Sequence, residues 1–274
     1  RMYKLLKAGL FRLRKDIIFW IFTFLSLAVA GFTLFRYYTN SSFGLAPLDK
    51  FVNEYIMYIG IFIAIFVSIF VGKEHSEGII RNKIIVGHKR VNIYLSNLII
   101  SVIATIFYEL IYLILILIIG IPLFGKLQMT SLEFAMSILN VFLVIIAYCS
   151  IFNLVTMLSS EVTISTTICI ILFIAMFVVA SSLSLTVNAS KYITNTYYDE
   201  EGAHIISQEL DPNYPSEEKI KIARRIYYFI PQGQANDIAN GKTEDLSEFP
   251  LYSISLIIIV NVGGIFLFNK KELK

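Results

Sequence analysis

Apolar residues in this chain gather into six runs separated by polar stretches, of which only the last is long. The runs cover 17–35, 55–72, 98–119, 134–158, 163–187 and 251–268. Each is close to the roughly 20 residues that carry an α-helix across a bilayer, or longer. The pattern predicts an all-α integral membrane fold: a single transmembrane domain over 1–274 with six transmembrane helices. Ahead of them, in 1–16, Met2, Leu6, Leu10 and Leu13, continued by Ile17, recur at helical spacing. Arg1, Lys4, Lys7, Arg12, Arg14 and Lys15 fill the other positions. That spacing predicts an amphipathic interfacial helix lying on the membrane surface.

Composition supports the membrane reading. Apolar residues make up 57% of the chain and charged residues 16%, against about 25% charged in soluble domains. Mean hydropathy is +0.72. Trp20 and the Arg36-Tyr37-Tyr38 group mark the two interfaces of the first span, and Asn40-Ser41-Ser42 with Pro47 reads as a polar loop. Met2 reads as the natural start. The apolar run behind it is longer than a signal h-region, and Gly31-Phe32-Thr33 is a poor cleavage site.

Charge placement orients the chain. Lys and Arg number six before the first span, five in 73–97 and three in the tail, against three in the opposite short loops. The positive-inside rule therefore predicts both termini and 73–97 in the cytoplasm of a multi-pass plasma-membrane protein, with 188–250 as an extracellular segment. Nucleic acid is not an implied partner; membrane lipid is. Cys149 and Cys169 lie in apolar runs, and His75, His88 and His204 are scattered, so no metal ligand set is visible.

Two features inside the spans invite function. Gly60, Ala64, Ser68 and Gly72 recur every fourth residue, making a small-residue face that reads as a helix-packing seam or as a candidate substrate path. Glu109 sits near the middle of the third span, where a carboxylate must face protein or water. Tyr108 and Tyr112 are expected to hydrogen-bond it. A structural acid ranks first and contact with a cationic substrate second; a lone acid makes no proton relay. The segment 188–250 is acidic, with turn chemistry at Asp211-Pro212-Asn213-Tyr214-Pro215 and a helix start at Ser216-Glu217-Glu218, expected to stop at Pro231 and Gly233.

The most informative stretch is the polar island 73–97, KEHSEGIIRNKIIVGHKRVNIYLSN. Glu74, Gly78, Ile80, Arg81, Gly87, Arg90, Tyr94 and Ser96 stand in an order that resembles the cytoplasmic coupling segment of type-2 class ABC exporter permeases. Ile79 and Asn97 depart from it, standing where a small hydroxyl residue and a lysine are usual. The resemblance implies a type-2 ABC exporter fold of six spans, with Glu74, Gly78, Arg81, Gly87 and Arg90 coupling the chain to an ATPase. It further implies two ABC ATPase subunits and a second permease copy or a paralogous permease as partners. Loosely, PQGQANDI is similar to the short re-entrant or interfacial helices that such permeases carry before the last span.

No phosphate-binding loop occurs in the chain, so no cofactor is expected here; ATP and Mg would belong to the partner ATPase. The chain reads as a transport subunit and not an enzyme. Its expected cargo is amphipathic or hydrophobic, an antimicrobial or other peptide by analogy with exporters of low-GC bacteria. The rival expectation is an ATP-independent secondary carrier using Glu109, or a receptor-like membrane protein.

Overall fold

A computed structural model describes residues 2–39, 47–198, 204–242 and 245–272. The loop expected at Asn40-Ser41-Ser42, Arg1 and the last residues of the basic tail, Leu273 and Lys274, lie outside the described residues. Among the described residues there are ten helices: α1 (Met2–Lys15), α2 (Ile17–Thr39), α3 (Ile56–Ser76), α4 (Ile79–Ile85), α5 (Arg90–Phe124), α6 (Ser131–Leu158), α7 (Val162–Val187), α8 (Glu217–Phe229), α9 (Pro231–Ala239) and α10 (Phe249–Lys270). Six of them, α2, α3, α5, α6, α7 and α10, are long and apolar enough to cross a membrane. The helices overrun the apolar runs. α5 begins eight residues before the run at 98, because Arg90 to Asn97 continue its helical backbone with buried Ile93, Tyr94, Ser96 and Asn97 on its inner face.

α3 and α6 form the centre of the bundle and are the most buried of the spans. The small-residue face of α3 lies against α7. A Cβ on Gly60 would stand 2.5 Å from the Phe173 ring and one on Gly72 3.3 Å from Ser165 Oγ. Ser165 Oγ also donates to Ser68 O at 3.5 Å, and Ala64 is fully buried between them. Close helix approach needs this absence of side chains, and here α7 packs along the stripe at Gly60, Ser68 and Gly72, with Tyr148 of α6 also beside Gly60.

The inward face of the first helix overlaps the one the spacing predicts, with Leu13 buried and Leu6 packed against the core, but is shifted around the helix. Leu5, Gly9 and Leu13 are buried, whereas Leu10 is exposed. Gly9 decides this: its position lies so close to Ile100 of α5 that a Cβ would be 2.0 Å from Ile100 Cδ1. Asp16 breaks the chain between α1 and α2, its Oδ1 accepting from Ile18 N at 2.9 Å as a cap on α2.

Beyond α7 an antiparallel hairpin, β1 (Tyr192–Tyr198) with β2 (His204–Leu210), runs in register from Tyr192 opposite Leu210 to Tyr198 opposite His204. Sequence reasoning missed it. Its β-forming Tyr, Ile and Thr were outweighed by the acidic character of the segment. α8 begins where the Ser216 cap places it, with Ser216 Oγ accepting from Lys219 N. α8 ends at Phe229, just ahead of Pro231, as expected, but Pro231 does more than stop a helix. It opens α9, since a proline at the first helical position costs no hydrogen bond.

All nine residues of α9 are buried. Tyr148 OH donates to Gln232 Oε1 at 2.6 Å, Gln234 Nε2 to Tyr228 O at 2.6 Å, and Ser253 Oγ to Gln234 Oε1 at 2.8 Å. A Cβ at Gly233 would fall 2.0 Å from Tyr227 O, so only glycine lets α9 seat here. Lys242 Nζ and Tyr227 OH both donate to Asp237 Oδ1, while burial pushes the Asp237 carboxyl above the usual carboxylate range.

Candidate functional site

The polar island folds into the last turn of α3, the short helix α4 and the first two turns of α5. Two left-handed glycines delimit α4: Gly78 at φ 68° opens it, and Gly87 at φ 89° closes it. Gly87 N donates to Ile84 O at 2.9 Å and His88 N to Lys83 O at 3.0 Å, the paired bonds of a Schellman termination. A side chain at either glycine would strain the backbone; this is the physical reason for their placement.

Glu74 ties α4 to the bundle. It is 2% exposed, and its carboxylate gathers groups from three other helices. Arg12 Nη1 of α1 lies 2.7 Å from Oε1, and Lys83 Nζ of α4 lies 2.6 Å from the same oxygen. Asn97 Nδ2 of α5 donates to Oε2 at 2.8 Å. Arg12 also stacks over the Phe70 ring at 4.0 Å and donates to Phe70 O at 3.3 Å. Asn97, which departs from the expected lysine, thus supplies a neutral donor to a carboxylate that already has two cations.

Below this node α4 shows an outer face. Ile80 is its buried anchor, while Arg81 is exposed and has no ion pair or hydrogen bond among the described residues. Ile85 and Val86 are 74% and 78% exposed at its tip. Arg90 is placed differently. Its Nη1 donates to the carbonyls of Phe268 at 2.9 Å, Asn269 at 3.1 Å and Lys271 at 2.5 Å, closing the C-terminus of α10. Lys271 Nζ in turn donates to Ser159 O at 2.8 Å and Met157 O at 3.3 Å at the end of α6, and burial lowers its pKa. The five residues expected in one coupling site therefore divide: Arg81 faces outward, Gly78 and Gly87 shape the turns, and Glu74 and Arg90 join helices.

Glu109 is fully buried, and neither of its oxygens has a hydrogen-bond partner among the described residues. The expected tyrosine partners are elsewhere. Tyr112 OH donates to Phe51 O at 2.8 Å. Tyr108 packs among the rings of Phe19, Phe22 and Phe66, since adjacent helical residues point about 100° apart. Sequence reasoning also missed that Glu109 ends a stripe. Asn97, Ser101, Thr105 and Glu109 recur every fourth residue along α5 and all are buried, a helical period that was open to reading.

No family model matches the chain, and no curated protein matches it. This is a multi-pass membrane protein. Its six candidate spans gather one polar node at the end of the bundle that carries α4.

Proposed function

We propose that the chain is the permease subunit of an ATP-driven exporter of the type-2 ABC class, and that α4 is its docking element for a separate ATPase. The observation that supports this most is the geometry of α4: a short helix bracketed by two left-handed glycines, with Arg81, Ile85 and Val86 turned outward and Glu74 holding its root. An apolar tip beside an unpartnered cation suits an interface with a centre that excludes water and an ionic rim. Because Glu74 joins α1, α3, α4 and α5, force on α4 would reach three long helices through one carboxylate.

In this reading two ATPase subunits hold ATP and Mg, a second permease copy or a paralogue completes the membrane unit, and lipid surrounds it. Both termini and α4 lie in the cytoplasm, and α8, α9 and the hairpin on the outer side. The cargo is amphipathic or hydrophobic, with peptides the class favoured by analogy. Alternation between inward- and outward-open states requires the ATPase to bind the two states unequally.

Glu109 favours a second reading, an ATP-independent carrier that uses the buried acid. Native mass spectrometry of the complex, purified from its own operon into lipid nanodiscs, separates the two. Two ATP-binding chains with two permease chains is the expected result. This chain alone, after co-expression with its neighbours, would favour the carrier.

A further inference from the structure

Polar atoms without a protein partner gather along the seam between α5 and α6. Two contacts fix the register of the seam: Asn97 Nδ2 reaches Met157 Sδ at 3.6 Å, and Thr105 Oγ1 meets Cys149 Sγ at 3.3 Å. The same antiparallel register brings Ser101 to the level of Asn153 and Glu109 to the level of Ile145. Asn97 Oδ1, Ser101 Oγ, both amide atoms of Asn153 and both oxygens of Glu109 are buried with no hydrogen-bond partner among the described residues. Tyr94 OH stands beside Asn153 at the same level of the seam, whereas Tyr108 OH points away from it toward α2 and α3.

Buried polar groups pair with protein or with ordered water in the great majority of cases. Orphans strung along one seam therefore point to water as the shared partner. Spacing agrees with this. Successive positions of the stripe rise about 6 Å along α5, and a bent water with two hydrogen bonds of about 2.8 Å each spans about 4.5 Å, so side chains that lean along the helix leave room for about one water per step.

The two ends of the seam differ. At the α4 end it meets the Glu74 node through Asn97, which donates to Glu74 and leaves its Oδ1 for the seam, and beyond the node lie the partly exposed cations Arg12 and Lys83. At the other end Tyr112 has given its hydroxyl to Phe51 O, Tyr55 shares its own with Ser26, and the Tyr55 and Tyr112 rings stack at 5.0 Å. Phe51 packs there against Tyr37 and Phe124. The titratable side chains near Glu109 are Tyr55, Tyr108 and Tyr112, with Cys149 a turn away on α6, and no cation pairs with it among the described residues.

We propose that the α5–α6 seam holds a file of internal water that supplies the relay a lone acid lacks, passing protons between the α4 end and the carboxyl of Glu109. A proton enters from a hydronium at the α4 end and each water takes one and gives one. Glu109 changes from carboxylate to carboxylic acid, and release reverses the order. Glu109 is thereby a proton-carrying group with access from one side, whether or not an ATPase drives the protein.

Infrared difference spectroscopy of the full chain in lipid nanodiscs tests this without partner or nucleotide. The carboxylic-acid C=O stretch lost in Glu109→Gln assigns the group. We expect that band to shift within seconds of transfer to D2O. Asn153→Leu and Ser101→Val should each slow the shift about tenfold, with Ser101→Ala as the milder variant should either fail to fold. A band that does not exchange would mean a sealed structural acid and would overturn the proposal. So would exchange at the wild-type rate in every seam variant, and so would the absence of any Glu109-dependent band.

Discussion

Glu74 concentrates more of this molecule's electrostatics than any other carboxylate described. Two cations and an amide converge on it where exposure is 2%, so its charge is balanced within the protein and not by solvent. Removing one member of such a group leaves the rest buried without a counter-charge, and breaking a buried pair typically costs about 3–5 kcal/mol. Arg12 and Lys83 retain some access to water, with side chains 26% and 17% exposed, which sets the expectation at the lower end. Glu74→Ala should therefore lower thermal stability in nanodiscs by about 3 kcal/mol, while Glu74→Gln, which keeps an acceptor for Asn97, should lose less. Equal stability of wild type and Glu74→Ala by thermal unfolding would remove the node from the account of how α4 is held. This carboxylate stood out in the sequence as the first member of a spaced motif, but its partners did not. Arg12 lies 62 positions away on another helix, and no local pattern specifies that distance.

At the scale of the element, α4 separates residues that the sequence groups together. Arg81 and Arg90 are nine positions apart and carry the same charge, so in one dimension they look like equivalent docking contacts. In three, Arg81 points outward from α4 while Arg90 satisfies three carbonyls at the end of α10. Charge reversal should distinguish them. Arg81→Glu is expected to leave thermal unfolding unchanged and to weaken ATPase association at least tenfold, about 1.4 kcal/mol in a rim contact. Arg90→Glu is expected to lower stability, because a carboxylate would face carbonyl oxygens at a helix C-terminus. Pull-down of the co-expressed ATPase beside a melting curve reads both, and identical behaviour of the two variants would contradict this division. The spans and the glycine turns were legible because each is a local rule, an apolar run or a left-handed φ. The inward turn of Arg90 was not, because its acceptors lie 178 and more positions along the chain. The α5 stripe is written in the sequence only as a period, since Asn97, Ser101 and Thr105 are individually ordinary and nothing but their spacing joins them to Glu109.

For the whole molecule, the arrangement of helix ends turns the charge count into a geometric argument. The Arg12–Glu74 pair brings α1 to the end of α3, and the Arg90 and Lys271 bonds bring the end of α10 to the start of α5 and the end of α6. The segments holding most of the Lys and Arg residues therefore occupy one end of the bundle, and the buried α9 with its Asp237 occupies the other. A bilayer orients a protein by such an excess of cations near the span ends, and this is the ground on which we propose that the α4 end faces the cytoplasm. Single cysteines test the orientation, since Cys149 and Cys169 are buried and react poorly as background. In intact cells Glu218→Cys on the exposed side of α8 should react with a membrane-impermeant maleimide, whereas Val86→Cys at the tip of α4 should react only after permeabilisation. The reverse result would place α4 outside the cell, out of reach of ATP. The docking reading would then fail even if every contact at Glu74 were as described, and Glu109 would take its protons from the external medium.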